Sequence, residues 1–451
     1  MSSSDLVVLG GGSGGYAAAL RAAELGRTVT LVEKDKVGGT CLHRGCIPTK
    51  ALLHAGEVAD ATRGAAGVGI RATFDGVDAA GVQKYTDAVI AKNWKGLQGL
   101  IAARGITVVS GEGLLVAPDT VRVGDEEYRG SAIVLATGSS PVVPPGITVD
   151  GRAVLTSEDA LALDVVPGSA IVLGGGVIGC EFASAWTSLG ASVTIVEALP
   201  RLLPSEDEAS SKLLERAFRR RKIGLRLGSR AAEVERIADG VRVTLDDGST
   251  LEADLLLVAV GRRANTQGLP VDIRDGHVVV DEYCRTSVPG VYAVGDLLNT
   301  PQLAHAGFAE GILAAEHLAG LAVEPIDYAG VPRVTYSSPE VASVGLTEAQ
   351  AVDRYGADAV RTVTYDLTGN GRSAILGTRG AVKLVATGDR VVGTHLVGDR
   401  VSELIAEAQV LYALQPSAST VAGLIHPHPT QSEAIGEAHL LLAGKPLHVH
   451  G

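Results

Sequence analysis

The chain has 451 residues, a net charge of −12 at pH 7, and 46% hydrophobic against 20% charged residues. That length holds about two to four domains with a large core. The acidic balance (pI about 5.4) excludes the basic footprint of a nucleic-acid-binding protein and suits basic protein partners. No apolar run of about 18 residues is free of charges and loop signals, so no membrane span is expected. With no charged leader or cleavage site at the N-terminus, a cytoplasmic location is expected.

In chain order, residues 6–33 read as strand, glycine turn, helix and strand. Gly10, Gly12 and Gly15 satisfy G-x-G-x-x-G directly after Leu6-Val7-Val8-Leu9, and the second strand ends in Glu33. Such glycines let backbone approach a pyrophosphate at a helix N-terminus, while the acid accepts from ribose hydroxyls. Residues 38–50 then hold two of the four cysteines, Cys41 and Cys46. A short loop or a distorted helical turn can bring these sulfurs within bridging reach, which needs Cα atoms closer than about 7 Å. In a cytosolic setting a persistent disulfide tends to be catalytic, so a redox-active pair is expected. Cys180 and Cys284 lack metal-ligand spacing; they read as buried thiols, and no metal site is expected.

Residues 50–105 read as helical with a break at 64–69, and residues 106–123 as short strands around the turn Pro118-Asp119. A buried-type strand over 133–139 ends in Thr137-Gly138, and Pro141 to Gly146 forms a linker. The nucleotide unit then repeats. A strand at 170–173 leads into Gly174, Gly176 and Gly179 of a second G-x-G-x-x-G, a helix follows, and the strand 192–197 ends in Glu197. Two such units imply two nucleotide cofactors. A helix is expected from Ser205, capped through a Ser205–Glu208 box, with Arg219, Arg220 and Arg221 as its solvated end.

Gly261-Arg262-Arg263 closes the second unit, and the strand over 291–296 presents Asp296 at its C-terminal end, where doubly wound sheets bind ligands. A helix over 304–319 and a connector over 325–332 precede a mixed α/β segment. Its strands are expected near 341–344, 381–386 and 391–397, and its helix over 402–414. The last landmark is His426-Pro427-His428-Pro429-Thr430-Gln431-Ser432-Glu433.

Two dinucleotide sites with a close cysteine pair suggest electrons passing between a nicotinamide and a disulfide through a flavin. Such a thiol needs a base, and the base an orienting acid. His428 has a carboxylate, Glu433, five positions on, whereas His426 has Gln431 at that spacing.

These residues resemble the flavoprotein pyridine nucleotide-disulfide oxidoreductases, most closely the dihydrolipoyl dehydrogenases, from about residue 5 to the C-terminus. The resemblance is carried by both glycine loops, Gly-Gly-Thr-Cys-x4-Cys-Ile-Pro-Thr-Lys, Ala136-Thr137-Gly138, Gly261-Arg262-Arg263-Ala264-Asn265-Thr266 and Gly295-Asp296. Pro339 to Gly345 and His428-Pro429-Thr430-x-Ser432-Glu433 complete it. It implies two doubly wound Rossmann-like dinucleotide-binding domains plus a C-terminal α+β dimerisation domain. The expected division is 1–147 for FAD and the redox disulfide, 148–266 for NAD, 267–330 completing the FAD site, and 331–451 as the interface.

The resemblance further implies that Cys41 is the interchange thiol and Cys46 the thiol against the flavin. His428, oriented by Glu433, would be the acid/base, delivered from the partner subunit of a homodimer. Glu33 would hold the FAD adenosine ribose, Gly113 the adenine region and Asp296 the ribityl chain, with Gly39, Thr40, Thr137, Gly138 and Ala304 also at FAD. Lys50 would sit at the flavin edge paired with Glu181. Gly174, Gly176, Val177, Ile178, Gly179, Glu197 and Gly261 would take NAD. Glu197 and Val177 favour NAD over NADP, whose users tend to carry arginines at the acid's position.

The implied activity is oxidation of protein-bound dihydrolipoamide with reduction of NAD. The partner would be a lipoyl-bearing acyltransferase of a 2-oxo acid dehydrogenase complex or a glycine-cleavage carrier protein. The alternatives are another NAD(P)H-dependent disulfide reductase, acting on glutathione or mycothiol, or a diaphorase-like flavoprotein. His43-Arg44 departs from the Asn-Val of many relatives. Arg44 is either a cation lowering the Cys41 pKa or part of a solvent-facing pair.

Overall fold

The computed structural model describes residues 2–449; the expected domain ends at residue 1 and residues 450–451 lie outside the described residues. The apolar run beginning at Leu6 becomes the strand Ser2–Leu9 at the centre of the first sheet. It pairs in parallel with Val29–Glu33 on one side and Glu126–Leu135 on the other. Thr107–Ser110 extends the sheet beyond Val29–Glu33, and Val291–Ala293 joins Glu126–Leu135, again in parallel. Leu6, Val7 and Val8 are fully buried: the helix Ser13–Glu24 packs on these strands, and the antiparallel strands Gly113–Ala117 and Thr120–Val123, which continue the sheet from Glu126–Leu135, add Leu115 and Val121 to the same core.

The helix after the first glycine loop, Ser13–Glu24, packs its small residues on the helix Ala304–Leu318. The approach is backbone to backbone: a Cβ on Gly311 would lie 2.2 Å from the Gly14 carbonyl oxygen. Glycine is therefore required there for packing.

The second sheet repeats the plan. Its parallel order is Gly224–Leu227, Ser192–Glu197, Ser169–Leu173, Leu255–Val258 and Val154–Thr156. A three-stranded antiparallel sheet (Ala231–Ile237, Gly240–Leu245, Thr250–Ala253) packs on it through Val241, Val243 and Leu245. The C-terminal part is a five-stranded antiparallel sheet, including Arg333–Thr335 and Glu340–Gly345. The helices Val401–Leu414 and Glu433–Leu442 pack against it. Among the described residues, no helix is long and apolar enough to cross a membrane.

Two expected helix ends are redrawn by contacts between distant segments. The helix expected from Ser205 spans Glu208–Arg220, with Asp207 as its cap, accepting from the Ala209 N–H (3.0 Å). The preceding residues are drawn inward instead. Glu206 takes Arg333 (3.2 Å) and Ser343, and Asp207 takes Lys383 (2.8 Å). Glu208 pairs outward with Lys212.

Arg221 is likewise not a solvated helix end. Its guanidinium donates to Ser184 Oγ (2.7 Å), Ser188 Oγ (2.6 Å) and the Ser338 carbonyl (3.0 Å), and reaches Asp60 at 3.4 Å. One cation thus ties the helix Cys46–Gly64, the helix Val177–Leu189 and the C-terminal segment together. Arg219 and Arg220 are exposed, as expected.

Candidate active site

The cysteine stretch folds as a short helix, Gly39–Arg44, and a long one, Cys46–Gly64, broken at Gly45. Cys41 lies in the first helix and Cys46 is the first residue of the second, where the helix dipole favours a thiolate. Both are free thiols, and they share a hydrogen bond. That bond brings the Cys46 thiol down to about 7 against the opposing effect of burial, with the Lys50 ammonium assisting. The same bond, with burial, pushes Cys41 up. The pair is therefore asymmetric in its dithiol form. Cys180 and Cys284 are buried, and burial raises both thiols.

Lys50 lies one helical turn beyond Cys46, and its Nζ is 2.9 Å and 3.0 Å from the two Glu181 oxygens. Burial disfavours the ammonium, but Glu181 outweighs it and the Lys50 pKa is raised. A cleft of about 1200 Å³ runs over these groups. Its wall includes Gly12, Thr40, Cys41, Cys46, Lys50 and Gly138 from the first unit, and Gly174, Gly176, Val177, Ile178, Glu181, Glu197 and Gly261 from the second. Asp296 and Ala304 close it.

The two glycine loops are geometrical copies. Gly11 N–H donates to Glu33 Oε2 (2.7 Å) and Asp35 N–H to Oε1 (2.8 Å). Gly175 N–H donates to Glu197 Oε2 (2.6 Å) and Leu199 N–H to Oε1 (2.7 Å). A carboxylate has about four acceptor positions, so each retains capacity for ribose hydroxyls.

The glycines also divide the same way in each copy. A Cβ on Gly15 would lie 1.9 Å from the Gly10 oxygen, and one on Gly179 would lie 1.9 Å from the Gly174 oxygen. Gly12 and Gly176 face open space. The outer glycines are fixed by protein packing, and the middle ones leave bare backbone at a helix N-terminus, a cradle that fits a dinucleotide pyrophosphate.

Several expected site residues stand off the cleft wall. Gly39 abuts Gly12, with a Cβ placed 2.6 Å from its Cα, and Thr137 donates to the Asn265 carbonyl (2.8 Å). Gly113 is packed among Leu9, Val32 and Val121, so its lack of a side chain has a packing cause.

His428 and Glu433 meet each other, Nδ1 to Oε1 at 2.8 Å, but not the cysteines within one chain. The His428 side chain is 72% exposed. Although burial would raise Glu433, the Thr430 N–H and His428 lower it, keeping the carboxylate ionised. His426 also has a carboxylate, Glu407 (2.8 Å), so carboxylate spacing alone does not separate the histidines. Exposure does: the His426 side chain is 13% exposed.

Two tyrosines join the site without a sequence motif to mark them: Tyr336, whose ring lies 4.5 Å from Lys50 Nζ, and Tyr16, raised to about 12 by burial and by the charges of Cys41 and Cys46. Arg44 lies in a helix on the cleft wall, with its guanidinium engaged by acids rather than by either cysteine. It pairs with Asp35 and with Glu158 (3.5 Å), and His43 Nε2 bonds the Val37 carbonyl (3.0 Å). Replacing Arg44 by alanine is therefore expected to leave the pH titration of the thiolate–flavin absorption band unchanged; a displaced profile would return Arg44 to the chemistry.

A doubled nucleotide cradle around a dithiol defines an oxidoreductase that couples dinucleotide and thiol redox chemistry. The chain belongs to the pyridine nucleotide-disulphide oxidoreductase family, whose model matches residues 4–311; the family's dimerisation domain matches residues 331–439. FAD and NAD are the cofactors of this group, and the two cradles fit them. The chain is 39% identical to a dihydrolipoyl dehydrogenase of Bacillus subtilis, covering 98% of this chain and 99% of that protein. It is 38% identical to dihydrolipoyl dehydrogenase 2 of Haloarcula marismortui, covering 98% of each. Among solved structures, LpdA from Mycobacterium tuberculosis superposes with a TM-score of 0.90 at 30% identity, covering 98% of this chain and 100% of that one.

Proposed function

We propose that this chain is a cytoplasmic, homodimeric dihydrolipoyl dehydrogenase that oxidises protein-bound dihydrolipoamide and reduces NAD. The observation that carries this is the Cys41–Cys46 dithiol, with Cys46 at a helix start beside Lys50, in a cleft shared by two dinucleotide cradles. The names of the full-length relatives support the choice of substrate. The substrate's carrier would be a lipoyl-bearing acyltransferase or a glycine-cleavage carrier protein, and the −12 charge suits a basic docking partner. The four-part division at residues 147, 266 and 330 is supported by the two separate nucleotide sheets, by the return of Val291–Ala293 to the first of them, and by the separate antiparallel sheet.

In the proposed cycle a substrate thiolate attacks Cys41 of the oxidised pair. The Cys41–Cys46 bond breaks, a substrate–Cys41 disulfide forms, and Cys46 leaves as a thiolate, eased by the Lys50 ammonium and by its place at a helix N-terminus. The second substrate thiol, giving its proton to His428, then attacks its partner sulfur. Lipoamide is released and Cys41 takes back the proton, so the substrate is oxidised and the cysteine pair reduced. Glu433 holds the His428 tautomer, and the exposure of His428 suits delivery to the partner subunit's Cys41. FAD, when held by the first cradle, would supply the two-electron chemistry linking the dithiol to an NAD held by the second. Glu33 would hold the FAD ribose and Glu197 the NAD ribose, and the Glu197 carboxylate disfavours a 2′-phosphate.

Dihydrolipoamide oxidation is expected to favour NAD over NADP by about 100-fold in kcat/KM, since a like-charge contact costs several kcal/mol. Comparing these rates with glutathione-disulfide reduction by NADPH tests the assignment. A faster NADPH–glutathione reaction would overturn it.

A further inference from the structure

We propose that Tyr336, from the segment matching the dimerisation domain, is a positioning residue that holds the Lys50–Glu181 pair in register with Cys46. The inference rests on the function proposed above. Two independent contacts carry it. The Tyr336 backbone N–H donates to Glu181 Oε1 (3.0 Å), the carboxylate that grips Lys50. Its ring receives the Lys50 ammonium at 4.5 Å from the centroid. Glu181 alone leaves Nζ free to swing around the carboxylate, whereas a ring face on another side of the ammonium restricts it.

Since Lys50 follows Cys46 by four residues on one helix, both lie on the same helix face. A Lys50 held there favours negative charge on the Cys46 sulfur; a Lys50 free to turn toward solvent favours it less. The C-terminal part of the chain thereby reaches the reactive thiol in its own subunit, separately from any contribution of His428 across a dimer.

The test titrates the ultraviolet thiolate absorbance of the holoenzyme in a Cys41→Ser background. Cys46 then titrates alone, because Cys180 and Cys284 are buried with raised pKa values. Tyr336→Leu is expected to raise the apparent Cys46 pKa by about half a unit or more, the scale of a partly exposed cation–π contact. Tyr336→Phe, which keeps the ring face, is expected to match the parent. Tyr336→Met provides a second ring-free variant should leucine disturb folding, and it should shift in the same direction. A ring-free variant superimposable on the parent, or an equal shift in Tyr336→Phe, would overturn the proposal. Because the readout needs no lipoamide, failure of the substrate assignment would appear only in the turnover comparison and would leave this result standing.

Discussion

Cys41→Ser is expected to reduce dihydrolipoamide turnover by at least about 1000-fold, the scale of losing a catalytic nucleophile. The serine oxygen can hydrogen-bond to Cys46 but cannot accept a substrate thiolate as a disulfide partner, so no mixed disulfide forms. Cys46 keeps its place at the start of the helix Cys46–Gly64, beside Lys50. Nicotinamide oxidation with an artificial quinone acceptor should therefore continue in the same variant. The two assays separate a dithiol enzyme from a diaphorase-like scaffold. Lipoamide turnover close to the parent rate would remove Cys41 from the mechanism and leave the scaffold alternative.

The second large effect concerns stability. Lys383→Met is expected to cost about 3–5 kcal/mol at pH 7, because it leaves a buried carboxylate without its cation. The Asp207 side chain is 2% exposed and lies 2.8 Å from Lys383 Nζ, which also reaches Glu348 at 2.6 Å. Burial alone would raise Asp207, but the bonds from Lys383 and from the Glu348 N–H outweigh it, and its pKa is lowered. The corresponding stabilisation is fully present above the unfolded value of about 3.9 and is lost as pH falls through the lower folded pKa.

Lys383 is the mirror case. Burial lowers its pKa, Asp207 and Glu348 outweigh that, and the net shift is upward. Its contribution is full below about 10.4 and is lost as pH rises through the folded value. Urea titrations of parent and variant should thus differ by a constant amount across the neutral range and converge only toward either extreme. On the acid side the gap should narrow as the unpaired, buried Asp207 of the variant takes up its proton before that of the parent; a gap unchanged down through the carboxylate range would assign the stabilisation to a different group.

The parts legible in the sequence are those whose cause is local. Each glycine loop, its following helix and the acid ending the next strand lie within about thirty residues, and the duplicated contacts of Glu33 and Glu197 follow directly from that spacing. The cysteine pair was legible for the same reason. Arg221 was not: its partners Ser184, Ser188 and Ser338 are far away in sequence, so the arginine run showed only a helix end. Ser205 lost its capping role because Glu206 and Asp207 answer to residues more than a hundred positions later. The His426–Glu407 pair was hidden because a carboxylate nineteen residues upstream falls outside any five-residue comparison. Tyr336 carries no motif of its own and acquires meaning only through the position of Lys50.

The Arg221 clamp bears on how electrons can travel. Its hydrogen bonds join a helix of the first nucleotide unit, a helix of the second and the loop leading into Glu340–Gly345. A machine that carried charge by swinging one nucleotide unit against the other would have to break those bonds at every turnover. Arg221 thus resists such a swing, and transfer across the cleft is expected with both units held in place while substrate, nucleotide and protons come and go.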